Sequence, residues 1–336
     1  MKKLTALLLA LCLIFALAAC GQRTEPTPTQ EPQVSEEPVT IRVGGMTGPT
    51  SMGMVKLMSD SEAGATENSY EFSLETGATV FAPALTKGEI DIAAVPSNLA
   101  SVIFNNTDGG VKAIAVNTLG VLYIVERGES VSELSDLAGK TVYATGQGAT
   151  PEYTLRYLLK ENGLDPDGDV TIVWCADTTE ALANISADEN AIAMLPQPFV
   201  TVAQSKVEGL RVALDLNGQW DALDNGSKLV TGVVVVRTEF AEKYPQQLQK
   251  FLEEYEASVA YTQSNPEDTA QLIADYEIVP AAPVALKALP QCNVTYLAGD
   301  EMKAALSGFI DVLFAENPQS VGGAVPGGEF YYGAAD

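Results

Sequence analysis

The chain has 336 residues, with 19 Lys and Arg against 44 Asp and Glu, a formal net charge of −25 and no histidine. So acidic a balance excludes nucleic acid and direct adsorption to anionic lipid, both of which need basic patches. The missing histidine excludes an imidazole general base, a Ser–His–Asp relay and histidine-containing zinc sites, and 4 cysteines without a CxxC spacing are too few for a thiolate metal site. Walker A, GxSxG and complete dinucleotide fingerprints are also missing from the sequence. The expectation is a non-enzyme with no catalytic residue, no metal and no cofactor.

The opening MKKLTALLLALCLIFALAAC combines two lysines, a short apolar run and small residues before a cysteine. Leu17-Ala18-Ala19-Cys20 resembles a bacterial lipobox, which implies a signal peptide over 1–19, cleavage before Cys20 and lipid on its thiol and new amino group. An ordinary secretory signal or a lone membrane anchor is the alternative. Two or more acyl chains would hold the protein firmly, at about 0.8 kcal/mol per buried CH₂. Residues 20–39 are rich in Pro, Thr, Gln and Glu and nearly devoid of bulky apolar groups. Such a segment cannot bury enough surface to fold and is expected to be an extended linker. Roughly three hundred residues follow, enough for two cored domains.

The next stretch, Val43 to Met58, reads as a buried strand, a Gly/Thr/Ser loop and the first turns of a helix. Such a turn aims backbone N–H groups and the hydroxyls of Thr47, Thr50 and Ser51 at one point, a cradle for a small polar or anionic ligand. Strands are expected at Tyr70–Leu74, Ile90–Val95 and Val111–Val116, and helices over Thr79–Lys87 and from Pro96-Ser97-Asn98. The continuous apolar run at Ile90–Val95 marks a sheet covered on both faces. Asn117 to Arg127 reads as an extended crossing into a second lobe.

The grammar then repeats about a hundred residues on. Tyr143 to Leu159 again gives strand, Gly-rich loop and helix, with Thr150 as N-cap, Pro151 as first helical residue and Glu152 in the first turn. IDIAAV before Pro96 is answered by AIAML before Pro196. Val170–Trp174 and Leu210–Leu214 read as strands. Thr178–Ile185 reads as a helix with Asp177 and Glu180 in a capping box, and Gln197-Pro198 open another helix. Leu229–Val236 returns to the first lobe, making a double hinge. Helical stripes fill the C-terminal third, Cys175 and Cys292 are expected as buried free thiols that could alternatively pair, and the Gly-rich end is expected to fray.

The lipobox, the strand-TGPTS-helix opening, KGEIDIAAVPSNLA, DLAGKTVYATGQGATPEYTLRYLL and AIAMLPQPFVTVA together resemble ABC-transporter substrate-binding proteins, nearest the nitrate/sulfonate/taurine and thiamine-pyrimidine-precursor group. The resemblance implies an α/β type II periplasmic-binding-protein fold: residues 40–118 and 230–336 as lobe 1, residues 119–229 as lobe 2, joined by the double-crossing hinge. It implies a monomer on the outer face of the cell membrane that closes over a nitrate- or sulfonate-like anion or a pyrimidine-like heterocycle and hands it to a permease. In that family the ligand touches the first loop, here Thr47, Gly48, Thr50 and Ser51, and the residues after the strand at Pro96, here Ser97 and Asn98. In lobe 2 it meets Gln147, Gly148, Ala149, Thr150 and Gln197. Ser97 and Asn98 could instead only cap a helix. The loops lack Arg and Lys, unlike many anion binders, and a neutral or cationic heterocycle beside Glu152, stacked on Tyr153 or Tyr123, would suit them better. A tethered sensor or adhesin without transport is the competing reading; an enzyme like the pyrimidine-synthesising proteins of this fold would need the histidine that the chain lacks.

Overall fold

The structure is a computed structural model and describes residues 39–335. The signal peptide, Cys20 and the linker before residue 39 lie outside the described residues. Among the described residues eleven strands run, in chain order, β1 (Thr40–Met46), β2 (Ser69–Glu75), β3 (Ile92–Pro96), β4 (Val111–Leu119), β5 (Leu122–Arg127), β6 (Thr141–Ala144), β7 (Thr171–Trp174), β8 (Ile192–Pro196), β9 (Leu210–Asp215), β10 (Val230–Arg237) and β11 (Val294–Leu297). They build two sheets, one in the order β11-β4-β10-β3-β1-β2 and one in the order β7-β6-β8-β5-β9. Helices cover both sheets, so the architecture is mixed α/β.

The apolar runs dictate which strands sit centrally. Ile92, Ala93, Ala94 and Val95 of β3 are all fully buried, because helices cover both faces of the sheet there. β2, by contrast, alternates exposed and half-buried residues and forms an edge. β1 pairs in parallel with β2 and β3, whereas β10 runs antiparallel between β3 and β4. The second sheet repeats the plan, with β6 parallel to β7 and β8, and β5 antiparallel to β8 and β9. One apolar cluster runs through both layers, and Trp220 meets Phe309 edge-on at 5.3 Å.

The chain passes between the layers at Gly120-Val121, between β4 and β5. Asn217 Oδ1 accepts from the Gly120 amide at 3.1 Å, and Asn293 Nδ2 donates to the Gly120 carbonyl at 2.5 Å. A Cβ at Gly120 would come within 2.8 Å of Asn217, so only glycine admits this grip.

Several local expectations are corrected. The first helix is interrupted, running Pro49–Met52 and then Val55–Glu62. Thr150 is the first helical residue and Ala149 the cap, with no side-chain cap bond; the Thr150 hydroxyl turns to Asn98 instead. Asp177 caps its helix, accepting from Thr179 N at 2.8 Å and Glu180 N at 2.9 Å, but Glu180 takes the amide of Ala176 rather than that of Asp177. β11 interrupts the C-terminal third, where only helices are expected. Cys175 and Cys292 are buried free thiols, and burial pushes the Cys292 thiol up to about 12, which keeps it unreactive. Among the described residues no helix is long and apolar enough to cross a membrane.

The Gly-rich end is not frayed. Tyr332 donates its amide to Ala113 O at 2.9 Å, and Phe330 is fully buried, 5.1 Å from the Phe104 ring. The apolar area of Phe330 outweighs the freedom of the glycines around it. Phe330→Ala is expected to cost about 3–5 kcal/mol, read by urea denaturation; a loss below about 1 kcal/mol would return this end to the solvent.

Glu126 on β5 is a buried carboxylate that accepts from Val131 N at 3.1 Å, Ser130 N at 3.2 Å, Ser130 Oγ at 3.0 Å and Arg211. Burial acts to raise its pKa, but these donors outweigh it and hold the group below its ordinary value. A folded pKa below the unfolded one adds stability above the unfolded carboxylate range and loses it as pH falls through the folded value. Glu126→Gln is expected to lose on the order of 2 kcal/mol at neutral pH and to flatten the acid limb of a stability–pH curve. An unchanged acid limb would show that other carboxylates govern it.

Candidate functional site

A cavity of about 500 Å³ lies beyond the carboxyl ends of β1 and β8, where the two sheets face each other. The six-stranded layer supplies Met46, Thr47, Gly48, Pro49 and Thr50 from the β1 turn, Thr231 from β10, and Ile278, Val279 and Pro280. The five-stranded layer supplies Thr150, Pro151, and Pro196 to Phe199 with Val202. Val121 and Leu122, at the crossing, form the floor. A second cavity of about 340 Å³ sits at the opposite end of the first sheet, around Arg42, Asp91 and Arg237. Its guanidiniums are held by Asp91 and Glu239, and it touches one layer only, so we favour the first.

The β1 turn starts from Gly48, whose φ of 129° favours glycine. Beyond it the loop bonds to itself. Thr47 donates its amide (2.8 Å) and hydroxyl (3.3 Å) to Glu75 O, while the hydroxyls of Thr50 (3.2 Å) and Ser51 (2.7 Å) both donate to Met46 O. Asn117 Nδ2 holds Thr50 O at 2.8 Å, leaving its own Oδ1 without a partner.

The second turn is as self-contained. Gly148 N donates to the Glu152 carboxylate at 2.7 Å, and Ala149 N bonds Gly146 O. Thr150 Oγ1 donates across the layers to Asn98 Oδ1 at 3.2 Å, and Asn98 Nδ2 reaches Ser320 O at 3.3 Å. Gln197, buried after β8, accepts from the Thr201 amide (3.3 Å) and hydroxyl (3.0 Å) and donates to Gln291 Oε1. The Gln291 carbonyl in turn accepts from the Tyr123 hydroxyl at 2.8 Å.

Of the eleven expected contact residues, Thr47, Gly48, Thr50, Thr150 and Gln197 line the cavity. Ser51 and Ser97 are fully buried with their hydroxyls on Met46 O and Val230 O. Asn98 supports Thr150. Gln147 and Gly148 are exposed and, with Ala149, lie outside the lining. Neither tyrosine offered for stacking reaches the cavity, since the Tyr153 hydroxyl turns to Gly148 O at 3.4 Å and accepts from Asn317. Ile278, Val279, Pro280 and Gln291 escaped the sequence reading; the apolar Ile-Val-Pro run between two helices was the available signal.

The residues around the cavity are therefore turns and strand ends of two similarly built layers. A family model described as ABC transporter, phosphonate, periplasmic substrate-binding protein matches residues 64–287. The chain belongs to this family. Solved structures agree on the type II periplasmic-binding fold. An ABC transporter protein from Parabacteroides distasonis is 24% identical with a TM-score of 0.73, covering 87% of this chain and 98% of that one. The periplasmic aliphatic sulphonate-binding protein SsuA of Escherichia coli is 20% identical with a TM-score of 0.67, covering 83% and 88%. The alkanesulfonate-binding SsuA of Xanthomonas axonopodis, bound to MOPS, is 14% identical with a TM-score of 0.63, covering 87% and 96%. No curated protein matches the chain. As a periplasmic ABC-transporter substrate-binding protein, it has a small-molecule ligand and a permease as its family partners.

Gln197→Ala strips Gln291 and the two Thr201 donors of their buried partner at once. A cost of about 1–3 kcal/mol is expected in chemical denaturation, because unsatisfied buried groups remain. A loss within about 0.3 kcal/mol would mean that the Gln197–Gln291 bridge carries nothing.

Proposed function

We propose that this protein is an extracytoplasmic solute-binding lipoprotein of an ABC importer, anchored through Cys20, whose two lobes close over one small solute and deliver it to the permease. The lobes we assign are residues 40–118 with 230–336, and residues 119–229, hinged where the chain crosses at Gly120-Val121 and again before Leu229. Thr47, Gly48, Thr50, Thr150 and Gln197 contact the solute, and Ser51, Ser97 and Asn98 hold the turns that present them.

The observation that carries this reading is a single cavity built jointly by matching turns of both layers. Bridges between the layers support it further: Thr150 to Asn98 and Gln197 to Gln291 beside the cavity, and Lys160 to Glu316 at 2.7 Å at the far end of the Thr150–Glu161 helix. Few and separate polar contacts of this kind suit lobes that part and rejoin, since each neutral hydrogen bond contributes only about 0.5–1.5 kcal/mol net and a surface ion pair about 0–1 kcal/mol.

Fractions of a small-molecule cell extract test the proposal by thermal melting of the purified protein. At least one fraction is expected to raise the melting temperature, because a solute at a hundredfold excess over Kd adds about 2.7 kcal/mol. No shift from any fraction would count against a solute receptor.

A further inference from the structure

Three properties of the cavity restrict what can occupy it, and the inference drawn from them rests on the receptor reading above. The first is charge. Among the described residues that line it, none is Asp, Glu, Lys or Arg. The ionic groups nearest in sequence to the turns are already engaged, Glu152 by the Gly148 amide, Lys56 by Asp60 and Arg156 by Asp167. A buried ion without a counter-charge loses its hydration for nothing.

The second property is donor supply. Pro49, Pro151 and Pro198 stand at the three turns that meet the cavity, and proline has no N–H to offer an anion. The hydroxyl hydrogens of Thr47, Thr50 and Thr150 already point at Glu75 O, Met46 O and Asn98 Oδ1. What these threonines still present is lone pairs, which accept from a guest's N–H or O–H. Gln197 Nε2 adds one donor, its other hydrogen being directed to Gln291.

The third is the wall. Leu122, Phe199, Val202, Ile278, Val279 and Pro280 make most of it apolar, and about 500 Å³ is far more than a nitrate or methylphosphonate fills. We propose that the solute is an uncharged organic molecule with an apolar, ring-sized body and N–H or O–H donors along one edge. Phosphonate, sulfonate and nitrate are rejected by the missing counter-charge, and the proline at each turn removes one amide that could have offset it. A cation is rejected too, because Glu152 is held at the Gly148 amide, outside the lining.

The test uses the purified full-length protein in detergent, melted with indole, benzimidazole and benzamide as neutral probes and with methylphosphonate, ethanesulfonate and nitrate as anionic ones. Neutral probes are expected to raise the melting temperature, with a calorimetric Kd that does not change with salt, as no ion pair forms. Val202→Glu is expected to weaken them at least tenfold. Phe199→Ala, which removes apolar wall without adding charge, is a second variant expected to do the same should Val202→Glu not fold. A shift with any anion, weakened by salt, overturns this solute class yet leaves the receptor reading standing. Silence from the neutral probes also overturns the class, whereas the receptor reading falls only if the extract fractions are silent as well.

Discussion

The passage of the main chain between the two sheets is the constraint on which the site depends. Gly120 is gripped from both sides, its amide by Asn217 and its carbonyl by Asn293, and a side chain there would collide with Asn217. One asparagine follows β9 and the other precedes β11, so a single residue, through its two flanking peptide groups, gathers both layers. Val121 and Leu122 are thereby held as the cavity floor, and the turns after β1 and β8 are set facing each other above it. Remove that grip and each sheet could still form, but the spacing of the loops would rest on the shared apolar cluster and the few hydrogen bonds between the layers.

Around this crossing the protein separates rigid from adjustable parts. The interior is densely apolar, with Trp220 and Phe309 fully buried where the layers meet. Outside that interior the layers meet through single hydrogen bonds such as Thr150 to Asn98 and through the Lys160–Glu316 pair, whose lysine is exposed, and each contributes modestly. A substrate-binding protein needs that contrast, because closure must be governed by the solute and not by the protein's own contacts. The saturated bonding within each turn serves the same end. Loops whose polar groups are already paired keep their shape whether or not a guest is present, so binding loses little entropy to ordering.

The polar saturation also bears on specificity. The sulphonate- and alkanesulfonate-binding neighbours share this fold at 20% and 14% identity. At that distance fold and ligand are independent questions, since function resides in the residues that a scaffold presents. Here the presented surface is apolar and uncharged, with prolines where an anion would want amides. Shape is inherited from the family, whereas the cavity's chemistry belongs to this chain.

The sequence by itself determined the strand–turn–helix repeat, because the apolar runs at β3 and β8 both end on a proline, Pro96 and Pro196, and glycine punctuates the loops after β1 and β6. It determined Asp177 as a cap and the C-terminal helices, since each depends on neighbours within a few residues. It also determined the lack of imidazole chemistry. Tertiary structure alone decided which of these residues line the cavity, because Thr50 and Ser51 donate to the same Met46 carbonyl and yet only Thr50 lies against the opening, while Ser97 turns to Val230 O on a distant strand. It alone decided that Phe330 and Tyr332 dock against β4, that β11 forms, and that Ile278 to Pro280 wall the site. Those contacts join residues far apart in the chain, and periodicity carries no information about which distant surface a segment will meet.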